Sequence, residues 1–319
     1  MSSTGSGGDR ALVWIDGAPV DAADARVPVF DRGFLYGDSV YEVTRAFGGV
    51  AFALDEHLDR LERSAAGLLM RTPPRSAINK AVVDTLAASK LDDAYVRIVV
   101  TRGAGEIALD PAAADEPRLI VIVRPPKPPP PEAYRDGVEV AIVGRTRFAA
   151  GVPTSTVDPQ VKSGNYLGSV MAIAEARKRN AYEAILCDSV GRITEGSSSN
   201  FFIVRGGRAS TPPLSVGLLE GITRRKVMQL LAAEKVGLAE QALWPIDLHR
   251  ADEAFLTSSV RGVVPIVRAD GEPIGDGKPG PMYKRLTDAW SKMVGVDIVQ
   301  QMVDGADRTR RARAALQRA

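Results

Sequence analysis

The chain has 319 residues, enough for two domains of ~150 residues each, and 45% of its residues are hydrophobic, which allows a substantial core. Its 41 Lys and Arg residues against 39 Asp and Glu residues give a net charge of +2, which argues neither for nor against a nucleic-acid partner. The single cysteine, Cys187, excludes an intrachain disulfide, and no run of about 18 apolar residues predicts a membrane span. We expect a cytoplasmic protein whose partners are small molecules, with no nucleic acid and no membrane.

The first part of the chain, residues 11–124, alternates between strand and helix patterns and predicts a small α+β domain. Residues 1–10 are interpreted as a flexible tail. The alternation at 41–47 would place Tyr41 and Arg45 on one face of a strand, where they could line a polar pocket. An exposed edge of an antiparallel sheet is the alternative. Helices are predicted from residue 55 onward and over 76–89, and further strands over 95–101 and 118–123.

Prolines mark the clearest boundary in the chain. Six of the seven residues at 125–131 are proline, which cannot donate to a sheet and favours extended geometry. We interpret 125–136 as the connection to a larger domain at 137–295, followed by a charged tail at 296–319. Within the larger domain, residues 167–178 have a helical pattern with an apolar stripe of Leu167, Val170, Met171 and Ala174.

One lysine has the surroundings that a nucleophilic lysine needs. With two histidines, His57 and His249, and one cysteine, the chain has no metal-ligand spacing, so no metal is expected. Lys162 has only small and apolar neighbours and no acid within three residues. A lysine nucleophile must be neutral part of the time, which such an environment favours. A solvent-exposed lysine without a catalytic role is the ordinary alternative.

Two other segments have the pattern of a phosphate site. Gly221-Ile222-Thr223 opens a predicted helix, where free backbone N–H groups and the Thr223 hydroxyl could hold an anion. Ser258-Ser259 ends a predicted strand and could add hydroxyl and amide donors. Simple capping of the helix by Thr223 would explain the first pattern equally well.

Together these motifs resemble the fold-type IV pyridoxal-phosphate enzymes, a family that includes branched-chain aminotransferases, D-amino-acid aminotransferases and aminodeoxychorismate lyases. The resemblance covers about residues 11–290. It implies a mixed α/β fold with a smaller N-terminal α/β sandwich and a larger C-terminal pseudo-barrel. The matching motifs are Leu35-Tyr36-Gly37-Asp38-Ser39-Val40-Tyr41-Glu42, His57-Leu58-Asp59-Arg60-Leu61, Tyr95-Val96-Arg97, Thr101-Arg102-Gly103, Lys162-Ser163-Gly164-Asn165-Tyr166-Leu167, Thr194-Glu195-Gly196, Ser199-Asn200, Pro212-Pro213, Gly221-Ile222-Thr223-Arg224 and Ala254-Phe255-Leu256-Thr257-Ser258-Ser259 followed by Pro265.

The resemblance also implies pyridoxal 5′-phosphate as cofactor and a role for each matching residue. Lys162 would form the internal aldimine and later move the substrate's α-proton. Glu195 would pair with the pyridine nitrogen and keep it protonated, so that the ring accepts electrons. The other residues implied at the cofactor are Arg60, Tyr166, Ser199, Leu219, Ile222, Thr223, Ser258 and Ser259. Of these, Arg60, Ile222, Thr223 and Ser259 would hold the phosphate, Tyr166 the ring hydroxyl, and Leu219 would pack against the ring.

The substrate is less sharply indicated than the cofactor. The pattern is most similar to branched-chain aminotransferases, which predicts ping-pong amino transfer between a branched-chain L-amino acid and 2-oxoglutarate in a homodimer with the active site at the interface. The serine run 197–199 is more similar to the D-amino-acid enzymes, but the basic residues that those enzymes carry after the Thr-Arg-Gly motif are absent. Arg261 could bind a carboxylate or point outward. The predicted substrate residues are Tyr36, Tyr41, Arg45, Tyr95, Arg97, Val260 and Arg261.

Three alternatives to this function stay open at this point. One is a D-amino-acid or (R)-amine transaminase, and the second is an aminodeoxychorismate lyase. The third is a protein that binds the cofactor without turnover, although the presence of both Lys162 and Glu195 argues against it.

Overall fold

The computed structural model describes residues 11–127, 129–144 and 157–305. The chain separates into two compact units. The first contains the chain up to Pro126 together with the short segment Val161–Tyr166, and the second contains the remainder. The tail predicted at 1–10 and residues 306–319 of the tail predicted at 296–319 lie outside the described residues. The predicted domain limits stay a prediction.

The first unit is built on a six-stranded sheet whose neighbouring strands all run antiparallel, in the order β2-β1-β6-β5-β3-β4. Its strands are β1 (Leu12–Ile15), β2 (Ala18–Asp21), β3 (Ser39–Phe47), β4 (Val50–Ala51), β5 (Ala94–Thr101) and β6 (Arg118–Arg124). Its helices are α1 (Arg32–Tyr36), α2 (Leu54–Gly67) and α3 (Arg75–Ser89).

The two faces of this sheet differ in what they carry. Val40 and Val96 pack on one face with Leu58 of α2 and Ile78 of α3. Because side chains alternate along a strand and partners directly opposite share a face, the other face carries four of the predicted substrate residues. These residues are Tyr41, Arg45, Tyr95 and Arg97. Tyr41 and Arg45 are both buried, so the strand is not an exposed sheet edge.

The segment Val161–Tyr166, which contains Lys162, joins the first unit by pairing with β3. The amide N–H of Gly164 donates to Ser39 O at 2.8 Å, and that of Tyr41 donates to Lys162 O at 3.1 Å. A side chain at position 164 would overlap the Ser39 hydroxyl, so the close approach requires glycine. The segment therefore extends the sheet on the side of β3 that does not face β5, and this pairing places Lys162 beside Tyr41.

The second unit is built on a nine-stranded mixed sheet in the order β12-β11-β10-β13-β14-β7-β8-β9, with β15 paired to β14. Its two end strands approach each other, because Ile193 in β9 forms a bridge with Leu243, three residues after β12. The sheet is therefore curled towards a barrel, as the fold class predicts. Its strands are β7 (Val138–Gly144), β8 (Glu183–Cys187), β9 (Ile193–Gly196), β10 (Asn200–Arg205), β11 (Arg208–Thr211), β12 (Leu238–Glu240), β13 (Glu253–Ser258), β14 (Gly262–Ala269) and β15 (Glu272–Pro273). Its helices are α4 (Glu132–Arg135), α5 (Leu167–Lys178), α6 (Ile222–Ala233), α7 (Pro245–His249) and α8 (Pro281–Val294).

The packed core of the second unit extends beyond the range predicted for the larger domain. Helix α4 lies in the predicted connection, directly after its prolines, and its Ala133 and Tyr134 are buried in the same core as Phe201. Residues 298–305 are helical, and Met302 belongs to this core, although the sequence predicted a tail from residue 296. Both segments carry apolar side chains, Tyr134 in the first and Met302 in the second, that are buried in this core.

Helix α5 has the predicted length, but its apolar stripe is exposed. Leu167 is 74% exposed, Val170 56% and Met171 61%, whereas the buried residues of this helix are Ala172 and Ala176. In the part of the chain that the structure describes, no helix is long and apolar enough to cross a membrane.

Candidate active site

In the first unit, Lys162 ends between two tyrosine hydroxyls. Its Nζ donates to the Tyr41 hydroxyl at 3.1 Å and to the Tyr166 hydroxyl at 3.4 Å, and the two rings meet edge to face at 5.1 Å. Its backbone N–H donates to Oγ of Ser64 at 3.1 Å. The backbone and the head of Lys162 are therefore both fixed, and the head lies 4.4 Å from the centroid of the Tyr41 ring.

Arg60 is held by a buried carboxylate on the neighbouring strand. Its Nε and one Nη donate to the two carboxylate oxygens of Glu42, each at 2.7 Å. Nδ1 of His57 lies 2.7 Å from Glu42 Oε2. Burial by itself would raise the pKa of Glu42, but the charge of Arg60 and the hydrogen bonds from Arg60 and His57 lower it to about 2. The carboxylate is therefore charged at neutral pH and fixes the orientation of the Arg60 guanidinium.

His57 and Glu42 are residues to which the sequence assigned no site role. Burial lowers the pKa of His57, so its ring is neutral at pH 7. Since Glu42 is ionised and only accepts, the Nδ1 atom of His57 carries the hydrogen of their bond. One signal was present in the sequence, because His57 and Arg60 are three residues apart and so share one face of a helix.

The arginines predicted to bind substrate have different surroundings. Arg45 is buried and forms a two-pronged ion pair with Asp93, with both N–O distances at 2.8 Å. The guanidinium of Arg97 instead lies over the Tyr41 ring, 4.2 Å from its centroid, and among the described residues it has no carboxylate partner. Arg45 is thus paired with the carboxylate of Asp93, whereas Arg97 is able to bind the carboxylate of a ligand.

Two further tyrosines predicted at the substrate lie beside other arginines. The ring of Tyr36, at the end of α1, faces Arg32 at 4.9 Å. The ring of Tyr95, in β5, faces Arg124 at 4.3 Å. Both rings are half-buried, so part of each is open to a ligand or a partner.

In the second unit, the carboxylate of Glu195 is held by two amide groups. Its Oε2 accepts hydrogen bonds from the backbone N–H of Leu219 at 3.1 Å and from Nδ2 of Asn200 at 3.3 Å. The same Nδ2 donates to Leu219 O at 2.9 Å. Glu195 and Leu219, both predicted at the cofactor, therefore lie side by side, and Asn200 joins them.

The start of helix α6 has the free donors of an anion site. Its N-cap residue is Gly221, which forms no side-chain cap hydrogen bond. Thr223 is buried, and among the described residues its hydroxyl has no hydrogen-bond partner. The Ser259 hydroxyl, in the turn after β13, has none in the same part of the chain either. Capping by Thr223, the alternative that the sequence left open, is therefore not what the structure shows.

A buried hydroxyl without a partner lies on the same sheet. Thr257 Oγ1 is buried and has no hydrogen bond within the described residues. Thr257 lies directly opposite Asn200 in the β10–β13 ladder, so both side chains are on the face that carries the Glu195 contacts. A buried hydroxyl without a partner lowers the free energy of unfolding by about 1–3 kcal/mol, and a hydrogen bond to a ligand atom could offset this loss.

Arg261 is engaged within the second unit. Its Nη2 donates to Glu183 Oε2 at 3.0 Å and to the Ser198 hydroxyl at 3.0 Å, and its Nε donates to Ser258 Oγ at 3.1 Å. Although burial opposes the charged form, Glu183 raises the pKa of this guanidinium. The sequence left open whether Arg261 binds a carboxylate, and the carboxylate that it binds is that of Glu183 in the same chain.

The serine run after Glu195 surrounds the same buried acid. The hydroxyls of Ser197, Ser198 and Ser199 all donate to Glu183, which has no exposed surface. Ser199, predicted at the cofactor, thus contacts Glu183, and Val260 lies half-buried in the neighbouring turn. In the described ranges, no group of three or more His, Cys, Asp and Glu side chains could hold a metal ion.

Comparison with known proteins identifies the family that shares these features. A family model described as amino-transferase class IV matches residues 39–269. The chain belongs to the class IV aminotransferase family. The predicted family and the mixed α/β fold class are thereby confirmed, and with them the prediction that the chain is an aminotransferase.

Individual relatives differ in the substrate that their names give. A Methanocaldococcus jannaschii protein assigned as a branched-chain-amino-acid aminotransferase is 39% identical over 275 residues, which cover 86% of this chain and 93% of the relative. The D-alanine aminotransferase of Bacillus licheniformis is 33% identical over 278 residues, covering 87% of this chain and 95% of the relative. A solved T.th. branched-chain amino acid aminotransferase with pyridoxamine 5′-phosphate has a TM-score of 0.82 and 30% identity, with 90% of this chain and 95% of that chain covered.

Proposed function

We propose that this class IV aminotransferase uses pyridoxal 5′-phosphate to move an amino group between a branched-chain L-amino acid and 2-oxoglutarate. The observation that carries the proposal is the position of Lys162 Nζ, held within hydrogen-bond distance of the Tyr41 and Tyr166 hydroxyls. When bound, this cofactor supplies an electron sink for the negative charge that develops at the substrate's α-carbon. The solved relative that contains pyridoxamine 5′-phosphate supports the choice of cofactor.

The side chains fit such a cofactor in kind and charge. The start of α6, with the hydroxyls of Thr223 and Ser259 that have no partner in the described part of the chain, suits a phosphate group. Arg60, fixed by Glu42, adds positive charge. Thr257 offers a buried hydroxyl that lacks a partner among the described residues.

Three residues of the chain then have separate roles in the amino transfer. Lys162 Nζ holds the cofactor and later takes and returns the proton at the substrate's α-carbon. The Tyr41 hydroxyl orients Nζ for that transfer. Glu195, fixed by Leu219 and Asn200, keeps a proton at the ring nitrogen of the same cofactor.

The sheet face around Tyr41 supports the proposed pair of substrates. Tyr41 and Val43 offer apolar surface to an aliphatic side chain, and Arg97 offers a positive charge to the distal carboxylate of 2-oxoglutarate or glutamate. Arg45 is left out of this role because Asp93 neutralises it. Arg261 is likewise not assigned to the substrate, because Glu183 neutralises its charge.

We also propose that the protein is a cytoplasmic homodimer in which Tyr36 of one subunit reaches the active site of the other. Phe30 and Phe34 in the first unit are exposed, and so are Ile107 and Leu109 in a loop that contacts their segment through the bond from Gly105 N to Phe30 O. Such an apolar patch favours a protein partner. The buried, unpaired thiol of Cys187 supports a reducing compartment.

The dimer is tested by the molar mass of the protein in light scattering. Phe34→Asp should give a monomer with little transaminase activity, because Tyr36 lies two residues away in the same helix. Val50→Asp is the matched control, since Val50 and Phe34 are both 70% exposed. A wild-type monomer with full activity would contradict the proposal.

The activity is tested by a panel of amino donors of both hands with 2-oxoglutarate and pyruvate as acceptors. We expect turnover of L-leucine, L-isoleucine or L-valine with 2-oxoglutarate, and a yellow protein once pyridoxal phosphate is added. A protein that stays colourless after that addition would overturn the proposal. A coupled assay for p-aminobenzoate distinguishes amino transfer from aminodeoxychorismate cleavage.

A D-amino-acid transaminase is the second candidate, favoured by the similarity to the Bacillus licheniformis D-alanine enzyme. The same panel separates the two, because that candidate predicts turnover of D-alanine with 2-oxoglutarate and none of L-leucine. Turnover of an (R)-amine with pyruvate would identify the remaining transaminase alternative.

A further inference from the structure

Asn200 occupies a position that connects three elements of the second unit. It is the first residue of β10 and is buried. Its Nδ2 donates to Glu195 Oε2 at 3.3 Å and to Leu219 O at 2.9 Å, while Leu219 N donates to the same Oε2 at 3.1 Å. These three hydrogen bonds form a closed ring around one carboxylate oxygen.

The opposite atom of the Asn200 amide faces the start of helix α6. A side chain at Gly221, the N-cap residue, would overlap Oδ1 of Asn200. Glycine at this position therefore leaves room for the amide. The amide thus lies between Glu195 on one side and the helix start with Thr223 on the other.

The contacts of Asn200 require an amide and set its orientation. Glu195 Oε2 and Leu219 O can only accept hydrogen bonds, so the atom that faces both must be the NH₂ group. An aspartate of the same shape would place a second carboxylate beside Glu195 and leave Leu219 O without this donor. Like charges at that distance disfavour ionisation of the pair.

We propose that Asn200 is a positioning residue that holds the Glu195 carboxylate for its contact with the ring nitrogen of the cofactor. The role rests on the proposed function, because it requires pyridoxal phosphate in this site. Asn200 acts through Glu195 and need not contact the cofactor. Its effect on cofactor affinity should therefore depend on the ring nitrogen.

The test compares two ligands on the full-length apo protein. One is pyridoxal phosphate, and the other is its 1-deaza analogue, in which C–H replaces the ring nitrogen. Equilibrium titration followed by absorbance gives a Kd for each ligand with the wild type, with Asn200→Asp and with Asn200→Ala. Asn79→Asp, the same chemical change in helix α3 of the first unit, is the matched control.

We expect Asn200→Asp and Asn200→Ala to raise the Kd for pyridoxal phosphate about tenfold, the effect of one hydrogen bond to a charged group. The Kd for the 1-deaza analogue should change less than about twofold, because that ligand gives Glu195 nothing to bind. Thermal unfolding of the apo proteins reports whether each variant folds, and Asn200→Asp keeps the shape of the side chain if Asn200→Ala does not.

Two results would overturn the role of Asn200. One is an unchanged Kd for pyridoxal phosphate in Asn200→Asp. The other is an equal loss of affinity for both ligands, which is what a general distortion of the site would give. If the wild type itself binds neither ligand, the proposed function fails, and the role of Asn200 fails with it.

Discussion

The guanidinium of Arg97 lies 4.2 Å from the centroid of the Tyr41 ring, and the same ring has Nζ of Lys162 4.4 Å from its centroid. One aromatic ring thus has two cations close to it, and its hydroxyl accepts a hydrogen bond from Lys162 Nζ over 3.1 Å. Each cation near an aromatic face gains about 0.5–2 kcal/mol. Tyr41 therefore links the residue proposed to carry the chemistry, Lys162, to the residue proposed to select a dicarboxylate, Arg97.

Tyr41→Phe should lower kcat about tenfold. The ring and both cation contacts stay, but the hydrogen bond that orients Lys162 is lost. Tyr41→Leu removes the ring as well and should lower both kcat and the affinity for pyridoxal phosphate. The measurement is kcat across a range of pH for both variants, and a wild-type value for Tyr41→Phe throughout that range would exclude the orienting role.

Arg97→Met should raise KM for 2-oxoglutarate by ten- to a hundredfold, on the order expected for a lost hydrogen bond to a charged group. The KM for L-leucine should change little, because an aliphatic side chain gains nothing from the charge. Steady-state kinetics with each substrate varied in turn measures the split. Equal changes in both KM values would argue against Arg97 as the carboxylate receptor.

Arg45→Met should instead act on stability. Removing this arginine leaves the Asp93 carboxylate without its two-pronged partner, a loss of about 3 kcal/mol in the free energy of unfolding for a largely buried pair. Urea unfolding of the apo protein measures it. A variant as stable as the wild type, with a raised KM for 2-oxoglutarate, would show that Arg45 and not Arg97 serves the substrate.

The Glu42–Arg60 pair predicts acid sensitivity. The pKa of Glu42 is about 2 in the folded protein against 4.5 for a free side chain, so the carboxylate stabilises the fold at pH above 4.5 and this contribution is lost as the pH falls towards 2. Burial lowers the pKa of His57, so protonation of this ring also destabilises the folded protein as the pH falls below 6.5.

Glu42→Gln tests this acid dependence. The variant should lose about 3–5 kcal/mol of unfolding free energy at pH 7, because Arg60 stays buried without its carboxylate. The difference from the wild type should shrink as the pH is lowered through 4.5, and urea unfolding at a series of pH values measures it. A difference that is constant with pH would contradict the assignment.

Thr257→Val should separate stability from ligand binding. The threonine hydroxyl has no partner within the described residues, so its removal should leave the apo protein equally stable or up to about 1–3 kcal/mol more stable. The affinity for pyridoxal phosphate should fall. Thr211→Val is the matched control, because the buried Thr211 hydroxyl donates to Phe201 O at 2.9 Å and its loss should destabilise the fold. Unchanged affinity in Thr257→Val would remove Thr257 from the cofactor site.

Local patterns in the sequence predicted the elements that carry the site. Helical patterns predicted the helices that begin near residues 55 and 76, and the alternation of β3 put Tyr41 and Arg45 on one face. The start of a helix at Ile222 was readable from the residues around Gly221. These features depend on the order of neighbouring residues, which is why the sequence alone contains them.

Contacts between distant residues could not be read in the same way. Nothing local indicates that Lys162 pairs its backbone with β3, or that Arg261 meets Glu183, 78 residues away in the chain. The stripe of Leu167, Val170 and Met171 shows a similar limit, because periodicity reveals an apolar face but not what covers it. Asn200 was part of a recognised motif, and only its contacts show what it holds.

The most direct test of the central claim is to find which lysine carries the cofactor. The protein is incubated with pyridoxal phosphate, reduced with borohydride, digested and mapped by mass spectrometry. We predict a phosphopyridoxyl group on Lys162 of the wild type and no such group in the Lys162→Ala variant. A group on another residue, such as Lys226 in helix α6, in a protein that transfers amino groups would contradict the account.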